Sequence, residues 1–416
     1  MNRSSDASVY APVNGPVDAP VNAPSFPRNP RPGPAEPDRA IAGHGAQVDG
    51  LDRAPRGGPP SPGMALSIHR LPWPTPWTEL FGRDGPLCVE IGFGRGAFLL
   101  DLARRRPEAN VIGIEISNRS LVAVERAAAL QGLHNVRAVH ATGQAALAHL
   151  FAPGTVGEVH VNFPDPWFKT RHAHRRLLAP MTIARIASCL EIGGTLHCAT
   201  DVAAYAVEID RALAGEPALA NALAADQRAS PTRLDGAVTK YESLAIAAGR
   251  PCAYFKYART ATAAAPTPVL TELPMPHVAL RSTGADPSAA ATTFTSRQVR
   301  VAGCHVHPLA AYVGPTGLLI DTVVVDPTIE QHIAVAVHPR ADGAWVVGLA
   351  TIGQPRPTLG CHVAVAVVAR WLLAVLPGAE VVAEALSLDP VARAMLAEGS
   401  AAPVDGVAAA DAEVAS

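Results

Sequence analysis

The sequence predicts an α/β protein, a doubly wound parallel sheet followed by a second, small α+β module. Between Leu87 and Ala199, short apolar runs alternate with stretches of helical spacing. That is how parallel strands joined by crossover helices read. Beyond residue 291 the pattern changes to several strand-like runs and one long apolar helix.

The elements follow in order. Residues 1–63 hold 13 of the 39 prolines and almost no large apolar side chains. Such a leader buries too little surface to offset its chain entropy and is expected to be disordered. Leu87–Ile91 reads as a strand ending in glycines, and Ala97–Arg106 as a helix whose three terminal arginines complement its dipole. Asn110–Ile114 is the next strand, Leu121–Leu130 the next helix and Val136–His140 the third strand. Glu158–Val161, a helix over Leu177–Leu190 and the strand Gly194–Ala199 continue the alternation. Ligands of such sheets bind at the C-terminal strand ends. Residues 260–291, rich in Ala, Pro and Thr, read as a linker between folded units at 64–259 and 292–390. In the second unit Arg297–Gly303, Leu318–Val325, His332–Val337 and Ala344–Thr351 read as strands, and Leu359–Leu376 as a helix. The tail, 391–416, is expected to be mostly disordered.

Composition narrows the class. A net charge of −2 excludes a uniformly basic nucleic-acid binder but leaves room for a local basic patch. The six cysteines form no CxxC pair, which fits reduced thiols and a cytoplasmic protein. There is no signal-peptide pattern and no apolar run of about 18 residues, so no membrane partner is expected.

Two segments carry chemistry. In Asn162-Phe163-Pro164-Asp165-Pro166-Trp167-Phe168-Lys169 the prolines must end a strand and present Asp165 outward beside an aromatic plane. Only three of the 34 basic residues are lysine, and Lys169 is one of them; the others are Lys240 and Lys256. Retention against so strong an arginine bias points to positions needing a compact ammonium. The second segment, Glu90-Ile91-Gly92-Phe93-Gly94-Arg95-Gly96, has GxGxG spacing rather than the GxGxxG of a dinucleotide site. Glu90 would repel a pyrophosphate but welcome the sulfonium and amino groups of S-adenosylmethionine. Glu115, at the end of the next strand, is placed to take ribose hydroxyls.

Together these residues resemble the bacterial tRNA (guanine(46)-N(7))-methyltransferases. The likeness runs through EIGFGRG, GIE, NFPDPWFK, RHAHRRL, the Ala199-Thr200-Asp201 turn and TKYE, over most of Leu87 to Lys256. The resemblance implies a class I (Rossmann-like) S-adenosylmethionine-dependent methyltransferase fold, with a guanine of the tRNA variable loop as acceptor. tRNA rather than DNA is the implied partner, and the chain is expected to act as a monomer or homodimer. Implied cofactor contacts are Glu90, Gly92, Gly94, Gly96, Glu115 and Asp165. Asp201, Thr239, Lys240, Tyr241 and Glu242 are implied on the substrate side, with Asp165 as catalytic residue. In one departure, Thr142 stands where the family carries an acid near the adenine. Thr142 or Gln144 is left to hold the adenine amino group, and weaker cofactor affinity is expected.

Guanine N7 already carries an in-plane lone pair, so methyl transfer needs no general base. The enzyme must align N7 and stabilise the cation that develops. Asp165 is the expected central acid, assisted by Asp201 and Glu242, because one carboxylate accepts from both N1–H and the N2 amino group. Lys169, Arg171, Arg175 and Arg176 are expected on phosphates. No metal is expected. His172 and His174 lack partners at zinc spacing, and alternation sends Cys304 and Val306 to one side and His305 and His307 to the other. The competing readings are a methyltransferase for another RNA base or a small molecule, and a non-catalytic RNA-binding relative.

Overall fold

Eight strands form the first sheet among the described residues of the computed structural model, which are 66–168, 170–264, 272–284 and 286–397. The leader and the tail beyond Ala397 lie outside them. The strands are β1 (Leu66–Ser67), β2 (Leu87–Ile91), β3 (Asn110–Glu115), β4 (Val136–His140), β5 (Val156–Asn162), β6 (Leu190–Thr200), β7 (Leu219–Asn221) and β8 (Ala253–Arg259). Their order is β1-β4-β3-β2-β5-β6-β8-β7. The first six run parallel, and β8 and β7 close the edge antiparallel. Succession reverses between β2 and β5, which opens the ligand crevice expected at such a switch point. Glu90 and Asn162 stand at its two sides.

The helices are α1 (Trp77–Phe81), α2 (Ala97–Arg105), α3 (Asn118–Leu130), α4 (Gly143–His149), α5 (Pro180–Cys189), α6 (Ala203–Ala214) and α7 (Lys240–Ala247). Period-two alternation divides each strand between two cores. Val89, Ile91, Ile112, Ile114, Val159 and Val161 meet Leu147, Ile183, Ile186 and Ile209 of α4 to α6. Cys88, Val111 and Ala138 meet Leu99, Leu102, Leu121 and Val124 of α2 and α3. Each large side chain so buried contributes about 1.5–3 kcal/mol. Glu90 lies on the Cys88 side of β2, the face that also carries Glu158 and His160 on the neighbouring strand β5.

Local chemistry sets the boundaries. Helix α3 starts three residues before the expected Leu121 because the Ser117 hydroxyl accepts from Ser120 N (3.3 Å) and caps it. Helix α5 starts only at Pro180, in the first turn where a missing N–H costs nothing.

The second sheet is antiparallel, in the order β10-β11-β12-β13-β14-β9-β15. Its strands are β9 (His277–Arg281), β10 (Val299–Val301), β11 (Cys304–Gly314), β12 (Gly317–Val325), β13 (Glu330–Pro339), β14 (Trp345–Leu349) and β15 (Glu380–Ala385). Helix α8 (Leu359–Val375) packs on it through Cys361, Val365, Val368 and Leu372, all buried, and α9 (Pro390–Ala397) follows. The expected linker is corrected here, because its residues 277–281 form β9, paired between β14 and β15. Composition hid this strand, since HVALR is short and bounded by Pro-rich sequence. Along β11 Cys304 and Val306 are buried and His305 is exposed, as alternation requires.

The two sheets keep separate cores but meet at a joint. The β12–β13 turn brings Ile329 into the first core, and Thr328 Oγ1 lies 2.9 Å from His149 Nε2. Trp73 stacks on His149 (centroids 3.9 Å apart) and carries the Arg356 guanidinium 4.5 Å from its ring centroid. Arg70 Nε donates to Gln354 Oε1 (2.6 Å) beside them. No helix among the described residues is long and apolar enough to cross a membrane.

Candidate active site

The glycine turn after β2 is shaped for close approach. Gly92, Gly94 and Gly96 have φ of 75°, 54° and 75°, a region L-residues rarely adopt. A Cβ at Gly92 or Gly94 would meet nothing within 4 Å, so the space above the turn is open. At Gly96 it would stand 2.1 Å from Val124 Cγ2, so that glycine serves packing instead.

Below the turn Glu90 is buried, with 1% exposure. Its Oε1 accepts from Asn162 Nδ2 across the crevice (3.1 Å), and its Oε2 is buried without a partner. Burial pushes its carboxyl up to about 8, against the hydrogen bond from Asn162 and the charge of Arg233. At neutral pH this carboxyl is therefore mostly protonated, and only its ionised form can answer a cation. Glu115 closes β3, its Oε2 accepting from Gly94 N (2.9 Å) and its Oε1 from Ile116 N (2.8 Å) and Ser117 N (3.1 Å). It therefore fixes the glycine turn as well as facing the crevice. Thr142 caps α4, its hydroxyl accepting from Ala145 N (3.2 Å), and it remains exposed at the end of β4. Gln144 lies in the first turn of α4, half-buried.

After β5 the chain enters the PDP turn under strain. Phe163 and Trp167 adopt φ of 53° and 43° without being glycine. Phe163 is held by Phe163 N donating to Ala199 O (2.8 Å) and by packing edge-on against Tyr254. Trp167 is held from outside, because Arg176 donates to Pro166 O (2.7 Å) and Trp167 O (3.2 Å) and pairs with Glu208 of α6. This corrects the phosphate role expected of Arg176, whose donors hold the turn. Asp165 projects exposed from the fixed turn. Arg175 lies over the Trp167 ring at 5.1 Å, His172 is 5.9 Å from it, and Arg171 is exposed. Lys169 and the His174 side chain lie outside the described residues.

On the far side TKYE forms the start of α7. Thr239 and Glu242 make a capping box, Glu242 N donating to Thr239 Oγ1 (3.2 Å) and Thr239 N to Glu242 Oε2 (3.1 Å). Arg233 Nε donates to both oxygens of Glu242 (2.8 and 2.7 Å), and Tyr254 Oη donates to Oε1 (2.6 Å). Burial pushes the Glu242 carboxyl up, but these bonds outweigh it and hold it below the usual range. The assisting role expected of Glu242 is therefore corrected, because its acceptor positions are taken inside the fold. Lys240 and Tyr241 are exposed on the same turn, the ammonium 5.5 Å from the ring centroid. Asp201 pairs with Arg250 (2.9 Å) at the end of β6.

Asn162, Arg233 and Tyr254 had no role in the sequence reading. Arg233 Nη2 also reaches Asn162 Oδ1 (3.4 Å), so hydrogen bonds run from Glu90 through Asn162 and Arg233 to Glu242. Only the position of Asn162 at a strand end signalled this, since Arg233 sits in an aperiodic loop. Beside these hydrogen bonds lies a small cleft of about 20 Å³, open to solvent and lined by Phe98, His160, His197 and Arg233 among others.

Deeper on this face Glu158, His160 and His197 bring ligand atoms within 4.8 Å of one another. Arg106 Nη1 already donates to Glu158 Oε1 (2.6 Å), and Lys256 sits near His197. Hydrogen bonding from His160 first, then from Arg106 against the opposing effect of burial, holds Glu158 near 2. Arg106 already answers the carboxylate, and burial holds His197 neutral by lowering it to about 3, so the cluster is a partly buried ion pair.

A family profile described as "Putative methyltransferase" matches residues 84–254, which include the glycine turn, both strand-end acids and the PDP turn. A tRNA (guanine-N(7)-)-methyltransferase of Burkholderia cenocepacia is 39% identical over 173 residues, 42% of this chain and 67% of that protein. One of Cupriavidus pinatubonensis is 36% identical over 187 residues, 45% of this chain and 73% of its own. A third, from Thermus thermophilus, reaches 47% identity over 138 residues, 33% of this chain and 44% of its own. With a switch-point crevice, a buried acid under an open glycine turn and this breadth of identity, the chain belongs to the tRNA (guanine-N(7)-)-methyltransferase family.

Proposed function

We propose that this protein transfers a methyl group from S-adenosylmethionine to N7 of a guanine in the variable loop of tRNA. The observation that carries the reading is Glu90, buried with one oxygen unmatched beneath a glycine turn open to a ligand, next to a rigid Pro-Asp165-Pro turn. When bound, S-adenosylmethionine supplies an electrophilic methyl carbon on a sulfonium. Glu90 answers the positive charge of such a donor, Gly92 and Gly94 let the backbone approach it, and Glu115 takes hydroxyls. Thr142 keeps one acceptor lone pair beyond its cap for an amino group.

On the acceptor side Asp165 accepts from guanine N1–H and the N2 amino group, so N7 is aimed by hydrogen bonds at the opposite edge. The N7 lone pair forms the bond to the methyl carbon as the carbon–sulfur bond breaks and its electrons stay with a neutral thioether, and the positive charge that passes to the ring is stabilised by the carboxylate. Asp201 is ion-paired with Arg250 through Oδ2, so what it offers a substrate is the acceptor Oδ1 and not a free charge. Phe168 and Tyr241, 77% and 58% exposed, offer faces on which unstacked bases can lie. Lys169, Arg171, Arg175 and Lys240 contribute cations for phosphates.

The test is incubation of purified protein with labelled S-adenosylmethionine and unmodified tRNA, followed by nucleoside mass spectrometry. 7-Methylguanosine in a variable-loop fragment is expected. Cofactor binding without product would shift the acceptor to another RNA, and no binding would make this a non-catalytic relative.

A further inference from the structure

We infer that Arg233 is a positioning residue that couples the donor side of the crevice to the acceptor-side helix α7 through Asn162. The inference rests on the functional reading above for what the two sides bind. It goes beyond that reading in making the two sides interdependent.

The argument turns on which way the Asn162 amide must face. Its Oδ1 meets Arg233 Nη2 (3.4 Å), a donor that cannot become an acceptor. The amide nitrogen is thereby forced toward Glu90, where Nδ2 donates to Oε1 (3.1 Å). A donor aimed at that oxygen favours the ionised carboxylate, the form that receives a cation. With Arg233 removed, the amide is free to turn its oxygen to Glu90, and that arrangement favours the protonated acid.

Arg233 has little freedom of its own. Its side chain is 13% exposed and lies 5.5 Å from the Phe98 ring centroid and 5.3 Å from that of Tyr254. It also donates to both Glu242 oxygens and to Asp235 O (3.1 Å). Glu242 is the third residue of α7 and closes its capping box, so the guanidinium stays in place only while the first turn of α7 is docked. That turn exposes Lys240 and Tyr241. Whatever orders it steadies Arg233, fixes Asn162 and readies Glu90. By linkage, a donor that selects ionised Glu90 steadies α7 to the same extent.

The experiment compares wild type, Arg233→Gln, Asn162→Ala and Tyr254→Phe. The first two break the Glu90 connection, whereas the third removes a Glu242 donor and leaves it intact. The Glu90 carboxyl is titrated by carbon-13 NMR in the free protein, and S-adenosylmethionine affinity is measured by calorimetry at pH 7 and pH 9, with and without tRNA. Arg233→Gln and Asn162→Ala should titrate about one pH unit higher and bind about tenfold more weakly at pH 7, with recovery at pH 9. Tyr254→Phe should stay within about twofold. The gain in donor affinity that tRNA gives the wild type should vanish in Arg233→Gln. If Arg233→Gln fails to fold, Arg233→Lys decides the matter, because it keeps a cation beside Glu242 but loses the fork that reaches Asn162 as well, and it should raise the Glu90 titration in the same direction. An unmoved Glu90 titration in Asn162→Ala overturns the inference, as does a binding loss that persists at pH 9. Absence of donor binding in the wild type, with the titration shift still present, would count against the functional reading alone.

Discussion

At the scale of single residues the site depends on one misplaced charge and one rigid one. Glu90 has a folded carboxyl raised by burial to about 8, above its ordinary 4.5. Two consequences follow, with the sign fixed by linkage. The folded state holds this proton more tightly than the unfolded chain, so its contribution is fully present below the unfolded value. It is lost as pH rises through 8. Thermal midpoints of the free protein should therefore fall across that window, and Glu90→Gln should flatten the fall. Donor binding, which needs the carboxylate, should strengthen about tenfold per pH unit up to about 8 and release a proton, as calorimetry in buffers of different ionisation enthalpy will read. Asp165 is the opposite case, exposed and held by its turn. Asp165→Asn should lower the transfer rate about 10²–10³-fold and leave the denaturation midpoint within about 0.5 kcal/mol of wild type. Near-normal turnover would remove Asp165 from the mechanism.

At the scale of elements the glycine turn and the α7 cap make separate predictions. Gly96→Ala combines an unfavourable φ with a methyl driven into Val124 and should cost about 3 kcal/mol in urea denaturation. Gly94→Ala, in open space, should cost about 1 kcal/mol and act on donor affinity instead. In α7, Thr239→Ala should cost about 1 kcal/mol as a lost cap. Glu242→Ala should cost about 3–5 kcal/mol, because Arg233 is left buried without its partner. Much of this scale was legible. Strands β2 and β4 end where their apolar runs end, and the glycines after β2 mark a turn that the structure contains. The PDP segment stops β5 as two prolines must. What sequence could not show was how side chains were spent. Glu242 and Arg176 carry charges that look available in a motif, and only tertiary contacts reveal that Arg233, Tyr254 and Glu208 have claimed them. Strands β8 and β9 escaped notice because short mixed runs give little periodicity to read, whereas helix α6 does carry a legible stripe, Tyr205, Ile209 and Leu213.

At the scale of the molecule, two sheets with independent cores meet at Trp73, His149, Thr328, Ile329 and Arg356. The family profile spans residues 84–254, within the first of them, whereas the second was read as a small α+β module from its strand and helix pattern alone. Arg356 is desolvated enough that burial lowers it to about 10, and its guanidinium lies on Trp73. Arg356→Ala should cost on the order of 2 kcal/mol and split one unfolding transition into two in differential scanning calorimetry. A single unshifted transition would show that the joint contributes little. The Ile329 side chain carries a further implication for anyone dissecting the chain. A fragment cut at residue 264, although it holds every residue assigned to catalysis, would leave a hole in its core where that isoleucine belongs. It should express poorly and gain solubility when the 326–329 turn is supplied in trans. The catalytic half would then be an incomplete object that borrows part of its interior from its neighbour.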